Sequence, residues 1–183
     1  MSLLSFTELH QIVEQGYLHN LGSITQVNAT SIDVRLGSEF LIEHSSPTRA
    51  AVGLSVVDLA ARESVTYDRV TGDYLLLPGE FVLAHTMEMF NLPDDISAEF
   101  CLKSSMARNG LEHLNACWAD AGFNNSSLTL ELKNMLRHHA LLLKPGMLIG
   151  QLKFFRHQPV PEHASYRTRG RYNCDPSVQQ IKK

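Results

Sequence analysis

DAGFNNSSLTLELKNMLRHHALLLKPGMLIGQLKFF, residues 120–155, is the stretch that decides the fold. From Leu128 onward its residues alternate. Leu128, Leu130 and Leu132 fall on one side, and Thr129, Glu131 and Lys133 on the other. A period of two is a strand with one apolar face. Residues 140–143 and 147–155 read as two more strands, and Pro145-Gly146 between them has the order a tight turn favours. Asp120-Ala-Gly122 reads as a turn leading into the first strand.

Working outward, the pattern repeats. Residues 32–36, 39–42 and 74–77 read as short strands, Pro78-Gly79 turns the chain into 80–84, and 97–102 is another. Strands of this length punctuated by Pro and Gly predict an all-β barrel or sandwich. Helices are few. Ser5 and Glu8 have capping-box spacing, Phe6, Leu9, Ile12 and Val13 recur at helical intervals, and Gly16 suits the stop. Residues 103–110 fit one or two helical turns, with a serine as N-cap and Gly110 just past the end.

Composition narrows the class. Of 183 residues, 44% are hydrophobic, enough for a core, and the net charge of −3 gives no global reason to expect nucleic-acid binding. Three cysteines, widely spaced, do not form a disulfide framework. The first residues lack the pattern of a signal peptide, and no run approaches the ~20 apolar residues of a membrane span. The expectation is a cytoplasmic protein that binds no membrane.

Three places can carry chemistry. Lys103, Ser104, Ser105 and Arg108 set two cations around two hydroxyls at a helix start, which suits phosphate. A capped surface helix would look the same. Glu131 lies on the polar face of its strand, where a plain exposed strand would also put it. A functional role requires a pocket over that face, made by another segment or another subunit. Arg167, Arg169, Arg171 and Tyr172 form a basic tail after Pro159 and Pro161. It is either a solvated end or an arm that closes over a phosphate-bearing ligand. Phosphate-loop and dinucleotide glycine motifs are missing, as is the H-x-E…P-C-x-x-C signature of zinc deaminases. His138-His139 is a lone pair with no other ligands nearby in sequence.

Taken in order, KSS-x-AR-x-GL, A-x-x-x-DAGF, LTLEL-x-N, KPGMLIGQL and a G-R-Y tail resemble the dCTP deaminase family of the dUTPase-like superfamily. Residues 28–37 and the 77–80 turn are similar to the family's earlier segments. The resemblance implies a mainly β fold, a distorted β-barrel or jelly roll with a short N-terminal helix and few other short helices. It divides the chain into a β domain, 1–158, and an arm, 159–183, that closes over the active site. It implies a homotrimer with sites between subunits, and magnesium accompanying the triphosphate rather than zinc.

By the same resemblance Glu131 is the general base or acid. Ser104 and Arg108, with Lys103 and Ser105, hold the triphosphate. Asp120 faces the sugar, Ala116 offers backbone contacts near the base and the attacking water, and Thr129 and Leu130 are further substrate-binding residues. Tyr166, Arg171 and Asp175 belong to the closing tail. Departures from the family pattern are Lys103 in place of arginine, Asp175 where glutamine is common, and one extra residue in 124–127. Asparagine tolerates left-handed geometry, so a bulge is expected to absorb that residue without moving Glu131.

The implied reaction is dCTP to dUTP and ammonia. The alternatives are a bifunctional enzyme that goes on to dUMP, towards which Trp118 leans, and a nucleotide-binding trimer without turnover. A pure dUTPase fits less well, because that branch has an apolar residue where Glu131 stands. Whether dTTP regulates the protein is not legible.

Overall fold

The computed structural model describes residues 1–44, 57–116 and 118–182. Thirteen strands are defined among these residues. β1 (Ser2–Leu3), β3 (Ile32–Arg35), β8 (Ile96–Leu102), β10 (Trp118–Ala119) and β13 (Leu148–Arg156) form one sheet, with β13 paired to β1, β3 and β8. The second contains β2 (Leu18–His19), β4 (Glu39–Glu43), β5 (Tyr67–Thr71), β7 (Phe81–Asn91), β9 (Leu111–Glu112) and β11 (Asn124–Asn134). A third, of two strands, pairs β6 (Tyr74–Leu76) with β12 (Leu141–Leu143). Every strand pair in the sheets is antiparallel, and the partners come from well-separated parts of the chain. The mainly β class read from the sequence holds.

One apolar cluster draws on both large sheets. Phe40 and Phe90 from the second sheet, with Phe100 and Phe154 from the first, are fully buried within it. Leu128, Leu130 and Leu132 point into it, so the alternation of β11 is read correctly. The turns behave as their residues dictate. Gly79 and Gly146 have φ of 77° and 83°, which a proline-glycine turn demands of its glycine.

The helices are short. α1 (Phe6–Glu14) carries the expected capping box, the Ser5 N–H donating to the Glu8 carboxylate at 3.1 Å, and Gly16 follows it at φ 69°. α2 (Ser104–Arg108) differs from the sequence expectation at its start. Lys103, not a serine, is the N-cap, and no side chain caps the helix. Gly110 does stand just beyond its end at φ 82°. α3 (Tyr166–Arg169) lies in the tail, N-capped by Ser165, whose hydroxyl also donates to Asp94 at 2.6 Å.

Several strand bounds also differ. β7 and β11 are eleven residues each, longer than the alternation suggested. β5 and the two-residue strands were not legible, because a segment held mainly by backbone pairing needs no alternation. His138 and His139 lie in the loop between β11 and β12.

The extra residue of 124–127 is absorbed as expected. β11 pairs Asn124 with Asn91 and Ser126 with Phe90, leaving Asn125 as a bulge at φ 47°. A second irregularity follows, where Thr86, Met87 and Glu88 of β7 face Leu128 alone between the pairs Ser127–Met89 and Thr129–His85. Beyond it the register is regular, and Glu131 stands opposite Leu83.

Candidate active site

The position of Glu131 follows from one rung of the second sheet. Glu131 pairs with Leu83, Leu83 with Leu41, and Leu41 with Arg69. Side chains on a rung share a face, so Glu131 has a leucine as its nearest neighbour on the face opposite the main core. Val178 of the tail is fully buried against Leu41 and Leu83, with Tyr67 and Phe81 packed around it. The pocket required over the polar face of β11 is therefore built by another segment of the same chain. The two leucines of this rung and the Val178 cover take water from Glu131. Burial pushes its carboxyl up to about 7, against a lowering contribution from a backbone hydrogen bond. No ion pair to Glu131 is formed among the described residues.

A cavity of about 410 Å³ opens over this face. Of the predicted site residues, Ala116, Asp120, Thr129, Glu131, Tyr166 and Asp175 line it. Arg171 lines a smaller neighbouring depression with Asp120 and Tyr166. Asp120 is held in place, since the Trp118 indole N–H donates to its Oδ1 at 2.9 Å and Trp118 stacks on Phe155 at 5.9 Å.

Tail and strand are stitched together by main-chain bonds. The Tyr166 N–H donates to Ala121 O at 2.9 Å, the Cys174 N–H to Asn124 O at 3.1 Å, and the Ser127 N–H to Asp175 O at 2.9 Å. The Gln179 N–H donates to Thr129 Oγ1 at 3.2 Å, and Arg69 Nη2 to the Val178 carbonyl at 3.2 Å. The Asp175 carboxylate is paired with Lys182 and thus already has a cation.

Other predicted residues stand apart. Ser104, Ser105 and Arg108 are exposed on α2 and do not line the Glu131 cavity of this chain. Lys103 does not present a free ammonium, because its Nζ lies 2.5 Å from the buried Asp33 carboxylate. The Leu130 side chain is in the main core, so only its main chain is left for a ligand.

Sequence reasoning missed Tyr67, Leu83, Val178 and His85. Tyr67 lines the cavity, and burial, then the Glu43 and Glu131 charges, raise its phenol. His85 pairs with Thr129 two rungs from Glu131; its ring is buried, with neither nitrogen hydrogen-bonded, and burial lowers its pKa. Its ring fills the space beside Gly37, where a Cβ would come within 2.2 Å of Nε2. One signal was available. Residues 81–86 are apolar or neutral without alternation, which marks a strand covered on both faces.

A family model described as dCTP deaminase-like matches residues 3–157. The chain belongs to the dCTP deaminase-like family. Two relatives in this family are named dCTP deaminase, dUMP-forming. The protein of Methanospirillum hungatei is 41% identical over 133 residues, 70% of this chain and 67% of that protein. The protein of Rhodococcus opacus is 38% identical over 144 residues, 76% of this chain and 72% of that one. A solved 2′-deoxycytidine 5′-triphosphate deaminase from Agrobacterium tumefaciens shares the fold with a TM-score of 0.63 at 22% identity. That match covers 85% of this chain, which spans about half, 48%, of the solved one. The family match includes α2, Asp120 and Glu131 but ends before the tail, so Tyr166, Arg171 and Asp175 lie outside it.

Proposed function

We propose that this dCTP deaminase-like chain removes the C4 amine of dCTP and then hydrolyses the resulting dUTP to dUMP and pyrophosphate. The observation that carries the first step is Glu131, a dehydrated carboxyl at about 7 inside a cavity that also holds Asp120. A group at that value both takes and returns a proton near neutral pH. Glu131 accepts a proton from water as the oxygen attacks C4. It passes that proton to N3, then takes the proton of the new C4 hydroxyl and delivers it to the amine, and ammonia leaves as the C4 carbonyl forms. Closure of the tail over Glu131 excludes bulk water and strengthens these electrostatics.

Asp120, oriented by Trp118, is placed to assist the second water, which attacks phosphorus and displaces pyrophosphate. The relatives' dUMP-forming names support this reading over release of dUTP. In it the magnesium is carried by the triphosphate oxygens. Assembly as a trimer would bring the exposed Ser104, Ser105 and Arg108 of one subunit to the cavity of another.

Incubation with dCTP and magnesium, followed by nucleotide separation, tests the reading. Equal amounts of dUMP, pyrophosphate and ammonia are expected. Accumulation of dUTP with ammonia would restrict the enzyme to deamination, and bound but unconverted dCTP would replace catalysis by nucleotide sensing.

A further inference from the structure

Ser127 is 4% exposed, and its Oγ has no hydrogen-bond partner. Its neighbour shows how unusual that is. The Ser126 hydroxyl is fully engaged, donating towards Asn124 O and Tyr172 O at 2.8 and 2.6 Å and accepting the Asp175 N–H at 3.1 Å. A buried hydroxyl left unpaired is costly, so one retained in a fold points to an absent partner. Ser127 lines the same cavity as Thr129 and Glu131, on the same strand. The cavity wall thus runs from Glu131, beside Leu83 and Tyr67, through Thr129 to Ser127.

The two ends differ in chemistry. The Glu131 end is apolar around one carboxyl and suits the face and C4 edge of a pyrimidine. The Ser127 end carries polar groups, the free Ser127 hydroxyl and the Asp175 main chain, which accepts the Ser127 N–H at 2.9 Å. A nucleoside laid along the strand with its base at Glu131 puts its sugar at Ser127. With the 5′ position esterified, 2′-deoxyribose has one free hydroxyl. We propose that the Ser127 hydroxyl binds the 3′-hydroxyl of the nucleotide and makes the site selective for a sugar that carries it. This inference rests on the nucleotide reading of the site and adds a specificity residue to it.

The experiment compares kcat/KM for dCTP and for 2′,3′-dideoxycytidine triphosphate in wild type and in Ser127→Ala. The variant is expected to lose about three- to ten-fold on dCTP, the size of a neutral hydrogen bond, and nothing on the dideoxy compound. Thermal unfolding without nucleotide should show the variant as stable as wild type or more so, because an unpaired buried group has been removed. Equal losses on both substrates would overturn the proposal. So would a lower Tm with unchanged discrimination, which would make Ser127 a structural group. If wild type binds both compounds without turnover, the same ratio is read from dissociation constants. Failure of the activity and failure of Ser127 are then separate results, while absence of nucleotide binding overturns both.

Discussion

At the scale of single residues, Glu131 couples function to stability. Its carboxyl is raised from 4.5 to about 7 by burial, so the folded chain holds a proton there that the unfolded chain has released. Stability is therefore lost as pH rises from about 4.5 through about 7, and is level above that. Glu131→Gln keeps the shape and removes the charge. It should be more stable than wild type at pH 8, by roughly 1–3 kcal/mol after allowance for solvent reaching the cavity, and equal to it at pH 4. Urea unfolding at the two pH values checks this. The same variant should bind dCTP and not deaminate it. In the wild type, kcat/KM should rise with pH through about 7 as the base loses its proton. A flat profile over pH 6–8 would mean that another group limits the reaction.

At the scale of elements, the bulge at Asn125 keeps β11 in register. Without it the one-residue excess of 124–127 would pass down the strand and turn Glu131 towards the leucine core. Asn125 tolerates its φ of 47° because a short polar side chain can occupy left-handed geometry, whereas a β-branched one cannot. Asn125→Gly should unfold at about the same temperature as wild type. Asn125→Ile should cost about 1–2 kcal/mol. Circular dichroism melts would show it, and equal melts for the two variants would place the strain elsewhere. Lys103 belongs to this scale as well. The sequence offers it as a phosphate ligand, yet the approach of β3 to the start of α2 hands it to Asp33. No local pattern reveals a partner 70 residues away.

At the scale of the whole molecule, the residues that the proposed reaction needs are divided within one chain. Glu131, Asp120 and the tail meet in one cavity, while Ser104, Ser105 and Arg108 face outward. The proposed trimer reunites them across a boundary, and mixing tests that directly. Glu131→Gln and Arg108→Ala should each be inactive alone. Subunits of the two, unfolded together and refolded, should regain part of the wild-type rate, since some boundaries then combine an intact Glu131 with an intact Arg108. Mixed trimers with no recovered activity would confine the site to one chain. Leu75, Leu77 and Leu142 of the small β6–β12 sheet region are about half exposed, which leaves apolar surface for the proposed trimer.

The sequence by itself determined what depends on near neighbours. The leucine alternation of β11, the proline-glycine turns, the capping box of α1 and the linked motifs around Asp120 and Glu131 are local patterns, and each specifies its element without distant help. Tertiary structure alone decided the environment of those residues. Whether Glu131 is an ordinary surface acid or a dehydrated base depends on Leu83 and Leu41 across two strands and on Val178, 47 positions along the chain. Desolvation sums over whatever surrounds a group in space, and it is written in no single segment of the chain.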